Sequence, residues 1–202
     1  MQDILDGYAA AATPAFVTAY DVLSPESIYE HVVDLFPTRA SRVADVGAGT
    51  GRDAAWFAEK GHEVVAIEPV RELREAARSL HQSDRIKWLN DRLPHLAEAT
   101  CLPPFDLVML GAVWQHLTDE ARILAMPNLA RMTAPGSLLV MSLRHGPGAK
   151  GRRVFPVAVD ATIHLGEEAG FVLVRRREAD SIQAANKAMG VCWTWLAFER
   201  IA

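Results

Sequence analysis

The residues with the clearest chemical promise are Asp45, the three glycines at 47, 49 and 51, and Glu68. An apolar run, Val43 to Val46, ends in the acid and the glycines, and a helical pattern begins immediately behind them. Glycine at alternate positions lets the chain turn sharply from strand to helix and lets a ligand approach the main chain. The first turn of the helix beyond offers free N–H groups and a positive dipole end, suited to a phosphate or a carboxylate. A second apolar run, His62 to Ile67, delivers Glu68, which can accept hydrogen bonds from two ribose hydroxyls. The pattern outlines a nucleotide-type site at the carboxyl edge of a parallel sheet.

Spacing narrows the ligand. A dinucleotide fingerprint reads G-x-G-x-x-G, whereas this chain has G-x-G-x-G. Asp45 lies two residues before the first glycine, where a carboxylate would repel a pyrophosphate. It would attract a ligand bearing an ammonium and a sulfonium.

The elements needed to hold these residues follow from periodicity. Strands are predicted at 43–46, 64–67, 86–89, 105–110, 137–143, 171–174 and 191–198. Helices are predicted at 51–60, from Pro69 through Leu80, from about Thr118 with a break near Pro127, and over 160–169. Ser24-Pro25 reads as an N-cap ahead of a helix that presents Ile28, Val32 and Leu35 on one face and stops at Pro37. Residues 1–24 read as an irregular cap or mobile lid, and 174–191 as a long hairpin loop, which makes the last strand antiparallel. Alternating strands and helices imply right-handed βαβ units and a mostly parallel sheet covered on both faces.

Bulk properties set limits. A chain of 202 residues suits one domain with a full core. The expected organisation is a single domain over 1–202, with 1–37 as an N-terminal cap and helix and 40–202 as a Rossmann-like core. The net charge of -4 argues against a nucleic-acid partner. Cys101 and Cys192 show no metal-type spacing and read as reduced, buried thiols. The first residues lack the pattern of a signal peptide, and no apolar run is long enough to span a bilayer. The expectation is a cytoplasmic protein, monomeric or homodimeric, with a small-molecule partner and neither membrane nor metal.

Asp45-Val46-Gly47-Ala48-Gly49-Thr50-Gly51 followed by Glu68 resembles the first two motifs of the class I S-adenosylmethionine-dependent methyltransferases. Asp91-Arg92-Leu93-Pro94 resembles the family's acidic turn after the third strand. Phe105 to Val108, Val113 to Leu117, and Ala134-Pro135-Gly136 leading into Ser137 to Val140 resemble its fourth strand, the following helix and its fifth strand. The resemblance implies a Rossmann-like three-layer αβα sandwich of seven strands, the last antiparallel and inserted beside the fifth. It also implies S-adenosylmethionine as methyl donor, S-adenosylhomocysteine as product, and transfer to an oxygen or nitrogen of a small molecule. By the same resemblance Gly47, Ala48, Gly49, Thr50 and Gly51 hold the methionine portion with Asp45. Glu68 and Pro69 meet the ribose, Asp91 with the Arg92 backbone the adenine, and Gly111 and Val113 approach from the other side. A nicotinamide- or flavin-dependent oxidoreductase and a non-catalytic binding protein on this fold are the alternative readings.

For the acceptor, the candidate bases are His145, which follows the fifth strand beside Arg144, and His116, near the start of a helix at the cleft edge, which also reads as a side chain fixing the local loop. His31, His62, His81, His95 and His164 read as surface or element-end residues. Arg144, Lys150, Arg152 and Arg153 form a glycine-rich basic loop that reads either as a flap for an acidic small-molecule group or as a solvated surface loop.

Overall fold

A computed structural model describes residues 1–201. Seven strands form one sheet in the order β3-β2-β1-β4-β5-β7-β6. β1 (Arg42–Val46), β2 (Glu63–Ile67), β3 (Ile86–Leu89), β4 (Phe105–Leu110) and β5 (Thr133–His145) run parallel. β7 (Cys192–Arg200) lies antiparallel between β5 and β6 (Phe171–Asp180). This is the seven-stranded Rossmann-like sheet expected from the resemblance.

The apolar runs are strands because both faces of the sheet are covered. Val43 packs on one side with Val64, Ala66, Ala54 and Phe57. Ala44 and Val46 point the other way, to Val65, Ile67, Leu110 and the inner face of α6 (Asp119–Met132). α4 (Arg52–Glu59) and α5 (Arg71–Leu80) follow β1 and β2, and α7 (Val159–Glu168) precedes β6. Burying each core Val, Leu or Phe contributes about 1.5–3 kcal/mol, so the alternation fixes which face every strand residue must take.

Several elements depart from the sequence reading. Residues expected to be irregular form α1 (Gln2–Ala11) and α2 (Pro14–Asp21), the latter capped by the Thr13 hydroxyl. Their alanines favour helix but give little apolar contrast, so periodicity passes them over. The helix after Ser24 is a single turn, α3 (Pro25–Ile28), and Val33–Leu35 form a separate 3-10 turn. α6 continues unbroken through Pro127. Pro127 and Ile123, whose carbonyl loses its usual i+4 donor, are both exposed, so the lost bond falls on the solvent side of the helix. β5 and β6 are longer than predicted, and the supposed hairpin loop contains α8 (Ala184–Ala188). The continuation of β6, Arg175 to Asp180, is polar and shows no apolar run in the sequence. β6 is an edge strand, where charged side chains face solvent. Both cysteines are exposed thiols rather than buried ones.

Candidate functional site

The cleft opens at the carboxyl ends of the parallel strands, with a volume of about 360 Å³. That lies within the range of small-molecule sites. β1 ends in the glycine turn, where Gly47, Gly49 and Gly51 all adopt positive φ. At Gly47 a β-carbon would lie 2.4 Å from Val113 Cγ2, and at Gly51 it would press on the Trp88 ring. The turn therefore demands glycine for conformation and for space together.

Glu68 holds the turn in shape. One carboxylate oxygen accepts from the Gly49 N–H at 2.8 Å and the other from the Val70 N–H at 2.8 Å. Arg74 donates to the Glu68 carbonyl at 2.6 Å. Burial pushes the Glu68 carboxyl up from its ordinary pKa, against those two N–H bonds and Arg74.

Asp45 is 4% exposed, and its Oδ2 has no hydrogen-bond partner. Burial, reinforced by the charge of Asp53, raises its pKa well above the ordinary aspartate value. Beside it Arg52 grips Asp53 through two bonds of 2.7 Å and reaches the Tyr20 carbonyl at 3.1 Å. Asp91, at the tip of β3, lines the cleft but uses its carboxylate on the chain. It accepts from the Arg92, Glu98 and Ala99 N–H groups at 2.8 to 2.9 Å and so caps the following turn. Gly111 and Val113 form the opposite wall beyond β4. Between them Ala112 takes φ +57°, and its N–H donates to Ser142 Oγ at 2.8 Å.

The two candidate histidines separate. His116 lines the cleft and is 8% exposed. Its Nδ1 donates to the Arg153 carbonyl at 2.7 Å, and its Nε2 stands 3.0 Å from the Tyr8 hydroxyl. Burial lowers its pKa, so the ring is neutral near pH 7. With Nδ1 protonated, Nε2 accepts the tyrosine proton. Tyr8 is itself buried, and its hydroxyl pKa is pushed up to about 12, chiefly by desolvation. His145, by contrast, is outside the residues lining the cleft and bonds Thr194 Oγ1 at 2.8 Å across the β5–β7 pair. Of the remaining histidines, His62 is buried rather than superficial, and His81 pairs with Asp21 at 2.8 Å.

Sequence reasoning missed Tyr8, Phe16 and Tyr20, which α1 and α2 bring over the cleft, and the Arg52–Asp53 pair. Arg52-Asp53 carried a usable signal, being two charges placed directly at the start of a helix that leaves a glycine turn. The aromatic three carried none, because only folding brings them near β1.

Sheet order and cleft together define a Rossmann-like fold, the one found in solved S-adenosylmethionine-dependent methyltransferases. The sequence profile of a methyltransferase domain family matches residues 43–136. A methyltransferase of Mycobacterium tuberculosis is 33% identical over 124 residues, covering 61% of this chain and 48% of that protein. The chain thus spans about half the length of that curated relative. The same fold occurs in the 1,6-didemethyltoxoflavin-N1-methyltransferase of Burkholderia thailandensis, with TM-score 0.64 and 20% identity over 96% of this chain and 89% of that one. It recurs in phosphoethanolamine N-methyltransferase 2 of Haemonchus contortus, with TM-score 0.68 and 15% identity over 94% of this chain and 58% of that one. No helix among the described residues is long and apolar enough to cross a membrane.

Proposed function

We propose that this protein transfers the methyl group of S-adenosylmethionine to an oxygen or nitrogen of a small-molecule acceptor. The observation that carries this reading is the unpartnered, buried carboxylate oxygen of Asp45 beneath the glycine turn. Arg52 offsets that buried charge only in part, and the ammonium at the amino-acid end of this cofactor would supply a further cation.

In this reading Gly47, Ala48, Gly49, Thr50 and Gly51 cradle the methionine portion. Glu68 and Pro69 face the ribose. Both Glu68 oxygens already accept one N–H each, which leaves a lone pair on each for a ribose hydroxyl. Asp91 and Arg92 border the adenine, and Gly111 and Val113 close the other wall. The Burkholderia structure holds S-adenosylhomocysteine and the Haemonchus structure S-adenosylmethionine, which supports the same ligand here.

The bound cofactor supplies an activated methyl group. The chain's own residues align the acceptor and manage its proton. Tyr8 and His116 suit the second task. As an acceptor hydroxyl or ammonium gives its proton to the Tyr8 oxygen, the tyrosine proton passes to His116 Nε2. The Arg153 carbonyl fixes the tautomer that makes this transfer possible. His145, turned to Thr194, is left to brace β5 against β7.

Calorimetric titration with S-adenosylhomocysteine tests the reading. Micromolar binding is expected, weakened at least ~10-fold by Glu68→Ala as a charged hydrogen-bond acceptor is removed. Absence of binding to the unaltered protein at high micromolar ligand would overturn it.

A further inference from the structure

Of the charged residues lining the cleft, Asp53, Glu68 and Asp91 lie at the tips of β1 to β3 with Arg52 and Arg92 beside them, while Arg144 and Arg152 belong to the far side, beyond β5. Neither Arg144 nor Arg152 has a carboxylate within 4.0 Å among the described residues. The nearby Asp180 is taken by Lys187 at 2.7 Å.

Both guanidiniums are instead held on neutral groups. Arg144 donates to the Pro147 carbonyl at 2.8 Å and to Asn186 Oδ1 at 3.3 Å, and lies over the Trp193 ring. Arg152 donates to the Tyr20 hydroxyl at 3.0 Å and lies over the rings of Tyr8 and Phe16. Its Nε is buried with no partner at all. The rings cover guanidinium faces and leave edges to bond, and a planar fork offered edge-on matches a carboxylate.

We propose that the acceptor is a small organic acid, its carboxylate bound by Arg144 and Arg152 and its body lodged against Tyr20, Trp193 and Trp195. This inference rests on the methyltransferase reading and names the kind of acceptor it uses. The neutral supports position the arginines without neutralising them, so the site keeps a net positive charge that only an incoming anion offsets. Trp195 and Tyr20 line the same cavity and offer flat apolar surface to the rest of the molecule.

The test uses the protein saturated with S-adenosylhomocysteine, titrated with benzoate, salicylate and anthranilate, each beside its amide, and with inorganic phosphate. At least one acid is expected to bind, with its amide at least ~10-fold weaker, since a charged hydrogen bond is lost. Arg144→Gln and Arg152→Gln should each weaken that acid by ~10- to 100-fold and leave S-adenosylhomocysteine affinity unchanged. The acid-to-amide comparison in the unaltered protein decides the matter even where a variant folds poorly. Equal binding of acids and amides overturns the proposal, as does binding of phosphate but of no acid, or of none of these at millimolar concentration. Failure to bind S-adenosylhomocysteine is a separate result and counts against the methyltransferase reading itself.

Discussion

Asp45 sets two demands against each other at one atom. Its folded-state pKa is raised, chiefly by burial, so the folded chain holds a proton that the unfolded chain would release. Its contribution to stability is therefore unfavourable at neutral pH, and the penalty is relieved as pH falls from the raised folded value toward the ordinary aspartate value. Replacing the charge should relieve that cost. Asp45→Asn is expected to stabilise the ligand-free protein by about 1–2 kcal/mol, the cost of an unsatisfied buried group. In a domain of this size that raises the melting midpoint by roughly 2–8 °C. The same variant should weaken S-adenosylhomocysteine at least ~10-fold. Thermal melts with and without the ligand read both effects, and a lowered ligand-free midpoint would contradict the account. Asp45, the three glycines and Glu68 were legible in the sequence because each acts through the backbone next to it. The environment of Arg152 was not, because Tyr8, Phe16 and Tyr20 lie more than a hundred positions away and meet it only after folding.

At the scale of elements, α1 and α2 form the roof of the acceptor side, and the loop after β5 is fastened beneath it. Asp3 pairs with Arg153 at 2.9 Å, and Arg153 in turn presents its carbonyl to His116. Gly7 is where the two backbones touch. A β-carbon there would fall 1.8 Å from the Gly151 carbonyl oxygen. By propensity alone, Gly7→Ala should strengthen α1 by up to about 1 kcal/mol. The clash should win, because it lies between two backbones and no side chain can swing aside. The expected result is faster proteolytic cleavage within 146–154, with S-adenosylhomocysteine binding retained through the β1–β2 half of the cleft. Unchanged cleavage would mean the roof and loop are not joined at this point. The strands and central helices were readable from period and punctuation, whereas α1 and α2 were not. Alanine-rich helices gain their stability from what they cover, here Val70 and Leu73 at the start of α5, which no local pattern displays.

Across the whole molecule, the sheet joins a binding half that is local in sequence to an acceptor half that is not. β1, β2 and β3 with their turns lie within residues 42–91, joined by short helical crossovers. The other half draws on the N-terminal helices, β5 and the β6–α8–β7 segment. This explains why the methyl donor could be named from sequence, while the basic loop read there equally as a flap for an acidic group or as a solvated surface loop.

The interior position of β7 carries a consequence for biosynthesis. The strand leaves the ribosome after both of its partners, β5 and β6. Until it arrives, Val140, Met141 and Leu143 stand on a strand whose edge N–H and C=O groups are open. A nascent chain paused before residue 192 is thus a sticky half-sheet that invites pairing with its neighbours on a polysome. A protein terminated at Asn186 should sediment as aggregate, whereas the full chain stays in the supernatant. A soluble, cooperatively melting 1–186 fragment would show that the remaining strands close without their insert.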